Sequence, residues 1–347
     1  MEPIHELKTG AEVDRVFAVS QNELKTTKNG KFYLQLQLSD RSGAIAAKKW
    51  DASPEFHEQL PAGSVVQVRG RVDEYKGMKQ IIVNAIQLVP EGEVDPSSFL
   101  PASERDPDEM YSELVKLLAK VKHTELRRLL DVFFEDENLM SAFRRAPAAK
   151  GLHQAYLGGL LEHTLSLLKL GEKIYPHYLA VNSDLMRAGI FLHDVGKTRE
   201  LEYERTFNYS NAGILVGHLA IGCEILCDKV RSLDGFPEEL FRALEHMILS
   251  HHGKVEWGAV KIPCFAEAVL LHHLDNIDAK VSAFYEIMAE EGDTGDEWTD
   301  RKYMFDNTRL WKGVHRGRID AGSSEPKSSS KRKAGKRAGT KDGELPF

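Results

Sequence analysis

Residues 30–51 read GKFYLQLQLSDRSGAIAAKKWD. Leu34, Leu36 and Leu38 alternate with Tyr33, Gln35 and Gln37, the period of a strand with one face turned inward. Asp40-Arg41-Ser42-Gly43 then breaks the chain, and AIAAKKW resumes an extended run. The same pattern continues outward from this hairpin. VFAVSQ precedes it, separated by Lys28-Asn29-Gly30. SVVQVRGRV and KQIIVNAIQLV follow it, set off by Pro61-Ala62-Gly63 and Lys76-Gly77. Five short strands in about 80 residues, with one helix-sized gap at Asp51–Leu60, predict a small closed barrel.

A five-stranded barrel of this kind is of the OB type, which holds nucleic acid on its outer wall. From Arg15 to Lys79 the chain has eleven Lys/Arg against seven Asp/Glu, a basic balance. Tyr33, Trp50 and Tyr75 are expected to stack bases, while Lys31, Arg69 and Arg71 hold phosphates. The competing structural role, aromatics that plug the barrel ends, applies most to Trp50. Residues 91–108 (EGEVDPSSFLPASERDPD) hold three prolines and many small polar residues, and read as a linker. From Glu109 onward the period becomes helical, as in MYSELVKLLAKV and TELRRLLDVFF. The expected architecture is an all-β barrel over residues 1–90, a linker over 91–108, an all-α domain over 109–312 and a disordered basic tail over 313–347.

The chemistry-bearing residues gather in the helical part. His163 lies in GGLLEHTLSLL, His193 and Asp194 in FLHDVGK, His218 in LVGHLAIG, His251 and His252 in LSHHGK, and Asp275 in LHHLDNIDAK. Ser183 or Asp184 can cap the helix ending at His193–Asp194, with Gly196 stopping it. Pro237 can begin the helix ending at His251–His252, and Pro263 the one carrying Asp275. Imidazole and carboxylate suit manganese, iron, cobalt, nickel or zinc, and a carboxylate can bridge two ions. A lone histidine on an apolar helix is usually a satisfied core residue. Two adjacent pairs, His193–Asp194 and His251–His252, are harder to bury without a cation, because each polar atom needs a partner. Asp278 is assigned to Lys280 or to helix packing. Of the remaining histidines, His272 and His273 are given supporting roles. His153, in GLHQAYLGG, is a candidate substrate contact.

The order His…His-Asp…His…His-His…Asp, with HDVGK at its centre, resembles the HD phosphohydrolase superfamily in its two-metal form. The stretches AAKGLHQAYLGGLLEHTLSLL and LSHHGKVEWGAVKIPCFAEAVLLHHLDNIDAK, with GKFYLQLQLSDRSGAIAAKKWD in front, are similar to the YhaM-type 3′-to-5′ exoribonucleases. The likeness covers roughly residues 10–310. It implies one metal on His163, His193, Asp194 and Asp275, and a second on His218, His251 and His252, with Asp194 as the shared bridge. It implies Asp194 and Lys197 as catalytic residues, Lys197 stabilising charge on a phosphate oxygen. The alternative for Lys197 is a cation at a helix C-terminus. The resemblance points to two divalent ions, manganese first, with iron, cobalt or magnesium as alternatives. It also points to single-stranded RNA as substrate, with single-stranded DNA as the variant, released as nucleoside 5′-monophosphates. Two rivals are an HD phosphohydrolase acting on a nucleotide or cyclic dinucleotide, with the barrel regulatory, and a binding protein with a structural metal.

Charge is unevenly spread over the 347 residues. Lys312 to Phe347 hold ten Lys/Arg against four Asp/Glu, a balance of +6 that leaves −13 on residues 1–311 out of a total of −7. A basic Ser/Gly/Lys tail serves solubility or raises local polyanion concentration. Its last six residues, DGELPF, are similar to the acidic, Phe-ended tip by which bacterial single-strand DNA-binding proteins recruit partners, so a protein partner is open there, as is a homo-oligomer. The start MEPIHELKTG lacks a basic region and apolar run, and no stretch approaches the ~20 apolar residues of a membrane helix. Three cysteines leave one unpaired in any disulfide scheme, which favours a reducing compartment. The expectation is a cytoplasmic protein without a membrane. Cys223 and Cys227, four apart on an apolar helix, are taken as buried thiols in preference to half a zinc site.

Overall fold

The computed structural model describes residues 3–27, 29–75, 77–90, 96–151, 154–204, 207–291 and 296–313. Its first part is a closed barrel: β1 (Glu12–Thr26), β2 (Phe32–Asp40), β3 (Gly43–Trp50), a short helix α1 (Pro54–Glu58), β4 (Val65–Tyr75) and β5 (Met78–Leu88). The strand order is β1-β2-β3-β5-β4, with β4 closing onto β1. Only β3 and β5 run parallel; the other neighbours are antiparallel. The alternation in β2 fixes which wall is wet: Leu34, Leu36 and Leu38 fill the interior with Phe17, Val66, Val68 and Ile81. The gap at Asp51–Leu60 holds α1, where Ser53 caps the first turn by accepting from the Phe56 N–H at 3.2 Å and Pro54 pre-sets its φ.

The second half of the linker is docked. A 3-10 turn at Pro96–Phe99 leads to buried Leu100. Leu157 N–H then donates to Pro101 O (2.8 Å) and Ser103 N–H to Leu157 O (2.9 Å), while Ser103 Oγ reaches Glu162 Oε2 at 2.6 Å. A proline-rich stretch can still pair through its carbonyls, which its composition does not announce.

The helical part comprises α2 (Pro107–Leu118), α3 (Thr124–Phe134), α4 (Glu137–Arg145), α5 (Gly159–Ile174), α6 (Ser183–Leu192), α7 (Lys197–Glu200), β6 (Leu201–Glu202), β7 (Asn208–Tyr209), α8 (Asn211–Leu215), α9 (His218–Arg231), α10 (Glu238–Ser250), α11 (Ala266–Glu291), β8 (Trp298–Lys302) and β9 (Thr308–Trp311). Leucines and phenylalanines from α2–α6, α9 and α10 form one core around Phe133, Phe143 and Phe191. The ribbons β6–β7 and β8–β9 are additions that the helical period does not predict. At the N-terminus of α6 the cap is Asn182, accepting from the Asp184 and Leu185 N–H groups at 3.1 Å. Asp184, expected as a cap, instead accepts from the Lys122 and His123 N–H groups and pairs with Arg187. Pro237 does cap α10, and α11 begins three residues after Pro263. Among the described residues no helix is long and apolar enough to cross a membrane. His153 and the tail beyond Gly313 lie outside the described residues.

Candidate metal centre

Five helices deliver seven side chains to one point. His163 comes from the second turn of α5, and His193 and Asp194 from the turn that ends α6. His218 opens α9, His251 closes α10, His252 follows it, and Asp275 lies in the third turn of α11. Gly196 permits the convergence: a Cβ there would sit 2.0 Å from His218 O, so any side chain would push the start of α9 away from Asp194. Gly253, at φ +77°, plays the same part on the other side, since a Cβ would meet the His272 ring at 2.2 Å.

Asp194 stands in the middle. Its Oδ2 lies 3.2 Å from His193 Nε2, 3.9 Å from His163 Nε2 and 2.7 Å from Lys197 Nζ. Its Oδ1 lies 3.6 Å from both His218 Nε2 and His251 Nε2. His163 Nε2 is 3.1 Å from Asp275 Oδ1, and His218 Nε2 is 3.2 Å from His252 Nε2. Each oxygen of one carboxylate thus faces a different half of the ring.

Four imidazoles are oriented through their other nitrogen. Nδ1 of His163 meets Asp278 Oδ2 (2.8 Å), that of His193 meets Ile190 O (2.7 Å), that of His218 meets Glu200 Oε1 (2.9 Å) and that of His251 meets Ile248 O (2.8 Å). An Nδ1–H donated to these acceptors leaves the Nε2 lone pair pointing inward, the arrangement metal-ligating histidines adopt. Glu200 also accepts from the His218 backbone N–H at 2.9 Å. Asp278, expected on Lys280 or in packing, serves His163 and Ser166. Three residues beyond Asp275, it falls about 60° round the helix from it, toward α5.

The electrostatics favour cations. Burial alone would raise the Asp194 carboxyl, but Lys197, His193 and His218 outweigh it and hold the carboxylate well below its usual range. Asp275 is held down likewise against burial, by His163 first. Burial lowers His163, yet Asp275 and Asp278 overcome this and raise it to about 9, so the pocket favours positive charge at that nitrogen. On the opposite half, burial and then the neighbouring imidazoles push His251 well down and His252 to about 4. Nitrogens kept unprotonated at neutral pH are available as ligands. His193 Nε2 and Asp194 Oδ1 are buried without a hydrogen-bond partner, a cost of about 1–3 kcal/mol each that coordination removes. Two nitrogens bound to one ion at about 2.0–2.1 Å stand about 3 Å apart, as His218 and His252 do. The residues fit divalent metal binding in charge and donor type, with His218, His251 and His252 in one group of close ligand atoms and His163, His193 and Asp275 in another.

Lys197 opens the single-turn helix α7, and its ammonium is paired to Asp194 at 2.7 Å. Cys223 and Cys227 are partly buried and Cys264 is exposed, and among the described residues no cysteine joins a metal-ligating group.

A model of the HD domain matches residues 160–280, and one of the OB-fold nucleic acid binding domain matches residues 14–89. The chain is 33% identical over 306 residues to a protein of Oceanobacillus iheyensis named 3′-5′ exoribonuclease YhaM, covering 87% of this chain and 94% of that one. The chain belongs to the YhaM family. Among solved structures the barrel is similar to the second OB-fold domain of replication protein A from Methanococcus maripaludis (20% identity, 27% of this chain, 98% of that chain, TM-score 0.22). It is also similar to the single-stranded DNA binding protein of Thermus aquaticus (17%, 24%, 42%, TM-score 0.22).

In this YhaM-family barrel, Tyr33 and Trp50 are register partners with ring centroids 5.0 Å apart. Trp50 is 42% and Tyr75 54% exposed, so neither plugs the barrel. Lys48, which the alternation did not single out, bridges them, its Nζ 4.9 Å from the Tyr75 ring and 5.9 Å from that of Trp50. Lys31 stands beside this face, paired to Asp51 at 3.1 Å. Arg69 is in register with Asp14 of β1 and held by it at 3.0 Å, while Arg71, opposite Glu12, shares the register row of Ile82 with Lys48.

Proposed function

We propose that this chain shortens single-stranded RNA from its 3′ end by metal-dependent hydrolysis, releasing nucleoside 5′-monophosphates, with the barrel holding the strand. The position of Asp194 carries the reading. One buried carboxylate presents an oxygen to each half of a ring of nitrogens, as a bridge between two ions requires. His163, His193, Asp194 and Asp275 would hold one ion, and His218, His251 and His252 the other, with Asp194 shared; manganese is the first candidate. When bound, such ions would activate water and neutralise charge on a phosphodiester.

The chain's own groups do the rest. Asp278, Glu200 and the carbonyls of Ile190 and Ile248 fix the ring orientations, so little reorganisation accompanies reaction. Lys197 keeps Asp194 anionic, and its ammonium would stabilise charge on a phosphate oxygen brought to this centre. On the barrel, Tyr33, Trp50 and Tyr75 offer ring faces that stack unpaired bases of any sequence, with Lys31 and Lys48 for phosphates. Arg69 contributes less, since Asp14 holds it. The stacking face favours an oligonucleotide over a mononucleotide substrate.

The test is purified protein with manganese and a 5′-labelled single-stranded RNA. A ladder of progressively shorter labelled products is expected, and a 3′-terminal phosphate should slow it. Immediate release of labelled mononucleotide would show attack from the other end.

A further inference from the structure

The turn that presents His251 and His252 continues into a short loop that the metal ligands do not account for. A single 3-10 turn spans Val255–Trp257. The loop then folds back, with Ala259 N–H donating to Lys254 O (3.1 Å) and Val260 N–H to Leu249 O (3.0 Å). These bonds make it a fixed shelf on α10. Gly258 lies against His252, where a Cβ would stand 3.5 Å from Nδ1. The Trp257 ring centroid is 6.1 Å from that of His272, whose Nδ1 holds His251 O at 2.8 Å. The indole is therefore one side chain removed from the His251–His252 pair, and it is 39% exposed.

Two ammonium groups converge on this ring. Lys254 Nζ is 4.4 Å and Lys280 Nζ, from α11, is 5.4 Å from the ring centroid. Neither is ion-paired to a carboxylate among the described residues. In a body carrying −13 over residues 1–311, two lysines without a carboxylate partner, one of them also over the Phe305 ring at 6.0 Å, on a partly exposed indole beside a phosphodiester-cleaving centre form a matched set for a nucleotide. The ring suits a base, and the cations suit the phosphates on either side of it.

We propose that Trp257, Lys254 and Lys280 form a nucleotide subsite of the helical domain, the indole stacking one of the two bases that flank the scissile phosphate and the lysines holding adjacent phosphates. This rests on the RNA-hydrolysing reading above and adds a grip independent of the barrel. Stacking explains how a strand is held at its end without regard to sequence, because every base has a π-face.

The test compares wild type and Trp257→Ala on short RNAs with an intact 3′ end or with an abasic ribose at either of the last two positions. Trp257→Ala should raise KM roughly ten- to hundredfold with a smaller change in kcat, and Trp257→Phe should restore most of the loss. An abasic residue at one of the two positions should penalise wild type similarly but cost the Trp257→Ala protein little more, because the contact is already gone. The double variant Lys254→Ala/Lys280→Ala should flatten the salt dependence of KM. Equal abasic penalties in wild type and Trp257→Ala at both positions would overturn the proposal, as would failure of Phe to rescue. Bound manganese, measured on the Trp257→Ala protein, should equal that of wild type. If it does not, equilibrium binding of the same oligonucleotides in EDTA repeats the comparison without catalysis. Wild type that binds RNA in EDTA with the expected abasic cycle, yet never shortens it, would sink the hydrolytic reading and leave the subsite standing.

Discussion

The ring around Asp194 and the aromatic face of the barrel both place nitrogen-bearing and ring-bearing side chains together, and they are built in opposite ways. At the metal centre, His163, His193, Asp194 and His251 are buried, and four imidazoles have an acceptor fixing the second nitrogen. On the barrel, Trp50 and Tyr75 are about half exposed, Trp50 against the Tyr33 ring and Tyr75 under Lys48. Chemistry at a phosphate demands positions fixed to a fraction of an ångström. Holding a strand of any sequence demands only ring faces and cations at a loose spacing. The same residue types are therefore over-determined in one region and under-determined in the other.

Substitutions should separate the two regions, and the largest effect is expected at the bridge. Asp194→Asn should abolish hydrolysis and lower bound metal, because a neutral amide removes the anionic donor at the middle of the proposed ligand set, while RNA binding measured by titration persists. Near-normal turnover in a metal-loaded Asp194→Asn protein would break the contrast at its strongest point. A step down in size, Glu200→Gln and Asp278→Asn should each weaken metal affinity about 10- to 100-fold. Isothermal titration with manganese checks this, and unchanged affinity would mean that the imidazole orientations are set by packing alone. The smallest effect belongs to the barrel, where Trp50→Ala or Tyr75→Ala should each cost about 1–3 kcal/mol in binding long RNA, expressed mainly in KM. Loss of bound metal in either variant would mean that the two regions are not separable.

Much of this contrast is legible in the sequence, and the part that is not has a common cause. The period-2 alternation through Leu34, Leu36 and Leu38 announces the barrel, because one wall must be apolar whatever the strand order. The ordered His and Asp residues announce the centre, because two adjacent polar pairs on apolar helices need a cation. Glu200 and Asp278 are not announced. Each is a single acid whose role depends on which helix packs opposite, and only tertiary approach brings Glu200 to the start of α9 or Asp278 to α5. Asn182, Ser183 and Asp184 are three capping residues in a row, and the long contact of Asp184 with Lys122 and His123 decides among them for Asn182. The β8–β9 ribbon did leave a signal, Asp306-Asn307, both at positive φ (53° and 56°), the residues that tolerate such a turn best. Lys48 escaped notice because a lysine between two aromatics becomes meaningful only once β3, β4 and β5 are wrapped together.

The close approach at Gly196 has a bearing on when in the life of the chain this enzyme becomes dangerous. The residues proposed as ligands are spread from His163 to Asp275, and no stretch emerging from a ribosome carries the set until residue 275 has been made. Their convergence in the folded chain includes the turn at Gly196 seated against His218 O, a contact with no room for a Cβ. A nascent chain, surrounded by messenger and ribosomal RNA, thus passes through synthesis with its histidines scattered and its carboxylates hydrated. Because the set is incomplete until Asp275 is made and packed, the centre is assembled late, and the long-range geometry that makes the nuclease keeps its ligands apart until then.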